Sequence, residues 1–271
     1  EDALTILAIL GPPIALIMMQ PDMGSAMALI IPVFLLMILG GLEWRLVALA
    51  SGLGAAAVAF MVFARSYRAD RIATFLDPWS DPQGKGYQII QALLAFGSGG
   101  VTGQGLGLSR QKYFYLPEAQ NDFIFAIIGE ELGLVGTLLV VGAFLALAWA
   151  GFRIAMGAKD AYGRLLAAGL TLMVVVQAIM NMAAVTNVMP VTGIPLPLVS
   201  SGGTSILFTM VCVGLILSVA RRGRGRAAGR ASGTGGASES RELASTGERG
   251  RHGRTHLSVV DGGRATSRRR A

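Results

Sequence analysis

Three carboxylates stand near one another in the middle of the chain. Asp122 ends the polar stretch Leu116-Pro117-Glu118-Ala119-Gln120-Asn121-Asp122, and the apolar run Phe123-Ile124-Phe125 follows at once. Glu130 and Glu131 come later in that run, roughly 12 Å further along a helix. An acid where water meets lipid can take a proton from a hydroxyl. Acids deeper in an apolar helix are costly and are functional candidates for that reason. Arg68, Arg71, Lys85, Arg110 and Lys112 precede Asp122 in the same polar stretch and could meet a departing anion. The carboxylates lack the paired spacing of a glycosidase. The two histidines, His252 and His256, lie far from them near the C-terminus, so no histidine cluster offers a metal site. On local grounds alone, Asp122 is equally well read as a helix cap or dipole partner.

The elements that must hold these residues are apolar helices. Of the 271 residues 53% are hydrophobic, yet the distribution is uneven. Residues 1–220 are apolar with short polar breaks and read as an all-α, polytopic membrane domain. The pattern predicts six spans, at about 3–19, 24–39, 46–64, 123–150, 165–189 and 205–220, with a long loop over 65–122. Residues 221–271 are rich in Arg, Gly, Ser and Ala and read as a disordered basic tail. That tail supplies most of the net charge of +7, so the charge is no sign of nucleic-acid binding. It is read as solvated or lying against anionic membrane lipids. Cys212 is the single cysteine, which excludes an intrachain disulfide. No basic segment precedes the first apolar run, so that run is no signal peptide; the chain is expected to begin partway through a larger membrane protein.

Asp22 is placed to cap the second span. Within 65–122, the run Gln88–Phe96 is too short to cross a membrane and reads as an interfacial or re-entrant helix. Gly103-Gln104-Gly105-Leu106-Gly107 is a poor dinucleotide fingerprint and reads as a flexible turn. Gln177 and Asn181 share a helical face, suited to bonding another helix or lining a polar cavity. Residues 189–204 carry three prolines at membrane depth, where irregular backbone survives only if buried by protein or lining a cavity. Ser200 lies in this segment, and Gly202 and Gly203 end it ahead of the last span. Free N–H groups there could bind an anion or simply start a helix. Arginine and lysine cluster at Arg45, at Arg153, Lys159 and Arg164, and after Arg221, so those breaks are predicted to be cytoplasmic. The loop 65–122 and the segment 189–204 then face outward together. No ATP is available there, so a transfer reaction needs a substrate with its own leaving group, such as a lipid diphosphate sugar. A departing diphosphate needs positive charge or a metal. The sequence fixes no cofactor; a divalent cation, Mg or Mn, is one way to meet that charge.

Several motifs together resemble the SEDS family of RodA, FtsW and SpoVE proteins. They are Phe75-Leu76-Asp77-Pro78-Trp79 with Gly86-Tyr87-Gln88, Gly103–Gly107 with Gln111-Lys112, Leu116–Ala126, Gly129-Glu130-Glu131-Leu132-Gly133, and Pro190-Val191-Thr192-Gly193 through Pro195-Leu196-Pro197 to Ser200-Ser201-Gly202-Gly203. The resemblance covers residues 3–220, and Lys112–Gly133 is most similar to FtsW, the division member. It implies a ten-span fold of which these six spans are the fifth to tenth. It further implies a glycosyltransferase that polymerises lipid II into peptidoglycan outside the cell membrane, at the septum during division. On this resemblance Asp122 is the catalytic residue, and Arg71, Lys112, Glu130, Glu131, Ser200, Gly202 and Gly203 are candidates for substrate binding. A class B penicillin-binding protein and other divisome proteins are the implied partners. Two departures stand out: Gln120-Asn121 replaces the usual His-Thr before the aspartate, and Ser201 replaces an aromatic residue before Gly202. A lipid II transporter and a non-catalytic divisome scaffold are the competing readings.

Overall fold

The computed structural model describes residues 22–41, 43–49, 51–52, 73–112, 116–118 and 120–222, together with Pro12 and Leu16. The expected spans 3–19 and 46–64, the tail and Arg71 lie wholly or largely outside the described residues. The chain divides after Gly223, and every described residue falls in the first unit.

Five longer helices carry most of the described part. They are α1 (Met23–Leu39), α2 (Tyr87–Gly99), α3 (Ile124–Gly157), α4 (Ala161–Val185) and α5 (Gly203–Arg222). No strand occurs among the described residues. Only α3, α4 and α5 are both long and apolar enough to cross a membrane; α1 is apolar but has 17 residues. Large apolar side chains such as Leu139, Trp149 and Leu207 lie exposed along α3 and α5, as expected of surfaces that meet lipid.

Helix starts follow side-chain chemistry. Asp22 caps α1 as predicted, accepting from the Ser25 amide at 3.0 Å and from its hydroxyl at 2.6 Å. Asp160 caps α4 through the Gly163 amide at 2.8 Å, so this helix begins four residues before the expected span. It stops at Val185, before Asn187 at φ 55° and the proline segment. α3 runs to Gly157, beyond the expected end at 150, because Arg153 can lie over Trp149 at 5.0 Å and hold its charge at the lipid edge.

The loop 65–122 is largely organised where it is described. Asp77 starts a short 3-10 turn, Pro78–Ser80, through the Trp79 amide, and Asp81 binds the Gly84 and Lys85 amides. α2 buries Ile89, Ile90, Ala92, Ala95 and Gly99 against α3. Phe96 of α2 meets Phe125 of α3 edge to face, ring centres 5.7 Å apart. The core joins Ala92 and Ala95, Phe125 and Phe144, Val174 and Ala178, Leu196, and Cys212 of α5. A second cluster packs Met27 and Ile31 of α1 against Val176, Met180 and Ile194.

Candidate active site

Asp122 lies two residues before α3, in a tight bend. The amides of Asn121, Asp122 and Phe123 all point at the Glu118 carbonyl, at 3.0, 3.1 and 3.4 Å. Glu118 itself is at φ 54°, a conformation with some strain for a non-glycine residue. Three consecutive carbonyls of the bend are then captured from outside. The Ser201 amide reaches the Gln120 carbonyl at 3.1 Å, the Ser200 hydroxyl donates to that of Asn121, and the Asn181 amide group donates to that of Asp122 at 2.7 Å. Ser200 also accepts from the Leu196 amide at 2.7 Å and is fully buried. The proline segment and α4 therefore fix the main chain of Asp122 between them.

The Asp122 carboxylate is left available. Among the described residues no donor bonds its oxygens and no cation lies within 4.0 Å. One oxygen faces Gly193, 3.7 Å from where a side chain there would begin. Gly193, at φ 69°, also borders a cavity of about 310 Å³ between α1, α4 and Ile194-Pro195, with Ser25 and Gln177 as its polar lining. Burial, and then the charge of Glu118, push the Asp122 carboxyl above its ordinary pKa of 3.8. A raised pKa makes the carboxylate, once ionised, a stronger base.

Glu130 and Glu131 have a different setting. Glu130 is 1% exposed. Its carboxyl accepts from the Ser109 hydroxyl, from the Arg110 amide at 3.0 Å and from the Gln111 amide at 3.3 Å. Glu131 holds Lys112, Nζ to Oε1 at 3.0 Å. Both glutamates thus fasten the loop 109–112 to α3. Lys112 is drawn toward Glu131, and Arg71 lies outside the described residues.

The glycine-rich loop is also fastened, contrary to the flexible turn expected from its composition. α3 is broken at Gly133, φ 66° and ψ −158°. The break frees the carbonyls of Glu130 and Glu131, which accept from the Gln104 and Gly105 amides, both at 3.0 Å. It also turns the Leu134 and Val135 amides toward the carbonyls of Gly100 and Val101, at 2.9 and 3.3 Å. Loop and helix therefore exchange four backbone bonds across the gap. A side chain at Gly103 would overlap the Glu131 carbonyl, which is why glycine is needed there.

Gln177 and Asn181 bond loop backbone rather than another helix. Asn181 donates to the Ile194 carbonyl at 2.7 Å as well as to Asp122, and Gln177 donates to Pro195 at 3.4 Å. Ser109 carried no signal in the sequence. Asn181 did, as an amide in an apolar span, but nothing in the sequence named its partners. Gly203 opens α5 with free space around it, and the Gly202 carbonyl accepts from Ile206.

The sequence model of a family described as "Cell cycle protein", spanning FtsW, RodA and SpoVE, matches residues 2–225. A probable peptidoglycan glycosyltransferase FtsW from Geobacter sp. (strain M18) is 42% identical over 222 residues, covering 81% of this chain and 60% of that protein. Stage V sporulation protein E of Bacillus subtilis (strain 168) is 44% identical over 209 residues, covering 77% and 57%. The chain thus spans less than two thirds of the length of these relatives. Among solved structures, a chain from work on polymerization and crosslinking by a peptidoglycan synthase complex aligns with a TM-score of 0.64 and 29% identity, covering 82% of this chain and 61% of that one. The Thermus thermophilus rod shape determining protein RodA aligns at 0.53 and 28%, covering 81% and 56%. Apolar helices, the motifs around Asp122 and these similarities agree: the chain belongs to the FtsW/RodA/SpoVE family and is a multi-pass protein of the cytoplasmic membrane.

Proposed function

We propose that the protein polymerises lipid II into glycan strands at the outer face of the membrane, with Asp122 as general base. One sugar hydroxyl attacks the anomeric carbon of a second sugar. A C–O bond forms there as the bond to the polyprenyl diphosphate breaks, and the diphosphate leaves with the bonding electrons. Asp122 takes the hydroxyl proton, which makes the oxygen a competent nucleophile. The observation that carries this reading is the contrast among three acids: Glu130 and Glu131 are engaged by loop partners, whereas Asp122 is held through its main chain and no donor among the described residues bonds its oxygens.

The positive charge that the departing diphosphate requires comes from Arg71, from Lys112 released from Glu131, or from a divalent cation. Similarity to the FtsW proteins supports a role in septal wall synthesis, and the match to a chain of a peptidoglycan synthase complex supports a class B penicillin-binding protein as partner. A broken membrane helix would favour a transporter. Here the gap at Gly133 is filled by the protein's own loop backbone, which favours a fixed site instead. The test is glycan synthesis from lipid II by the full-length protein with its partner. Asp122→Asn should lower the rate by about 100-fold or more, and equal polymer from both would remove Asp122 from the chemistry.

A further inference from the structure

We infer that Asn181 is a positioning residue for Asp122, an amide clamp near the C-terminal end of α4 that sets where the carboxylate points. The inference rests on the reading of Asp122 as the base.

Asn181 lies on α4, 59 residues from Asp122 in sequence, and is 2% exposed. Its NH₂ donates to two carbonyls, Asp122 and Ile194, both at 2.7 Å. Two acceptors at that distance require the nitrogen to face them, so the orientation of the amide is settled by its partners. The two carbonyls belong to the two segments that form the site. Ile194 follows Gly193, and Gly193 is the residue that the carboxylate faces. One side chain therefore sets the distance between the base and the wall opposite it.

No other residue type of this size does the same. Leucine fills the volume but leaves two buried carbonyls without a donor. Aspartate would set oxygens against oxygens. The Asn181 Oδ1 has no partner among the described residues, although the atom is buried. Its neighbour Gln177, one turn away, donates to Pro195, so among the described residues of α4 it is Asn181 whose side chain bonds the Asp122 bend, beside Ser200 and Ser201 of the proline segment.

The consequence is a rate effect without a binding effect. Misplacing a catalytic group by an ångström costs about 10- to 100-fold in rate, while the surfaces that hold the substrate stay as they were. The second consequence concerns protonation. Loosening the bend admits water to Asp122 and relieves the burial that raises its pKa. Glu118, on the same bend, is the charged group that acts on Asp122; residues 189–204 hold no titratable group, and Tyr162 and Arg164 lie at the far end of α4.

The experiment uses the full-length protein with its partner, in wild type, Asn181→Leu, Asn181→Ser and Asp122→Asn forms. It records kcat and KM for lipid II across pH, and titrates the Asp122 carboxyl by difference infrared spectroscopy, its band identified by loss in Asp122→Asn. The expected result for Asn181→Leu is a kcat lower by about 10- to 100-fold, with KM within about twofold. The Asp122 carboxyl should titrate at lower pH than in wild type. Asn181→Ser keeps one donor and should fall between the two; it carries the same criteria if the leucine variant does not fold. An unchanged kcat, a loss confined to KM, an unmoved carboxyl titration, or failure of both variants to fold overturns the inference. Full activity of Asp122→Asn would instead sink the general-base reading, while the infrared titration still reports whether Asn181 holds the bend.

Discussion

Gly133→Ala tests whether the glycine-rich loop and the broken helix form one unit. The residue lies at φ 66°, ψ −158°, a region essentially restricted to glycine, where another residue costs about 1–3 kcal/mol. The added carbon would also fall well inside 3.0 Å of the Gly103 nitrogen and the Val101 carbonyl oxygen, both backbone atoms that cannot rotate away. Two responses are open. If the helix stays broken, strain and overlap push the loop off, and four backbone bonds weaken together. If the helix closes, Leu134 and Val135 recover the carbonyls of Glu130 and Glu131, and the Gln104 and Gly105 amides lose theirs. Each lost bond is worth about 0.5–1.5 kcal/mol net. Either route comes to about 2–3 kcal/mol for the loop, or roughly 30- to 150-fold faster opening. Amide hydrogen exchange in nanodiscs reads this directly at Gln104 and Gly105. Gly142→Ala is the control: it lies in the same helix with open space around it, and alanine there should be neutral or mildly stabilising. Unchanged protection at Gln104 and Gly105, or the same loss in Gly142→Ala, would refute the coupling of loop to helix.

Glu130→Ala should lower the melting stability by about 3 kcal/mol, because the Ser109 hydroxyl and two backbone amides lose their buried acceptor. Glu130→Gln, which keeps an acceptor, should restore much of it in thermal melts. Lys112→Met should cost less than about 1 kcal/mol, since its pair with Glu131 is partly exposed. A large fall in glycan synthesis by this variant would therefore mark a role for the ammonium beyond stability. Asp122→Asn should raise the melting temperature at neutral pH. The folded-state pKa of Asp122 lies above 3.8, so its stabilising contribution is present below the unfolded value and is lost as pH rises through the folded one. The advantage of the asparagine should shrink toward zero in melts at acid pH, and an advantage independent of pH would contradict the burial of the carboxyl.

Much of this arrangement was legible from residue types alone. The apolar runs mark α3, α4 and α5, because spanning helices need about 20 apolar residues and little else in a sequence looks like that. The cap at Asp22 is legible because a carboxylate three residues before a serine amide has a local partner. Boundaries shifted where a polar residue extended a helix, as Asp160 and Arg153 do. The glycine-rich loop was misread because its glycines serve close approach to α3, and a composition cannot say whether a glycine bends or is approached. The partners of Asn181 and Ser200 escaped for a related reason. They are backbone carbonyls 59 and 79 residues away, and every residue offers a carbonyl.

What separates the acids is the kind of group each one meets. Glu130 meets two amides and a hydroxyl of the loop 109–112, so its oxygens are occupied in holding that loop to α3. Asp122 is held through its main chain, by donors directed at carbonyls, and among the described residues its carboxylate holds nothing. A base must be rigid and unoccupied at once, and an acid that anchors a loop through its own oxygens cannot be both. Fixing the backbone and leaving the side chain free meets both demands. That division of labour also explains why the anchoring residues come from α4 and the proline segment: a bend held only by its own neighbours would move whenever the loop before it moved.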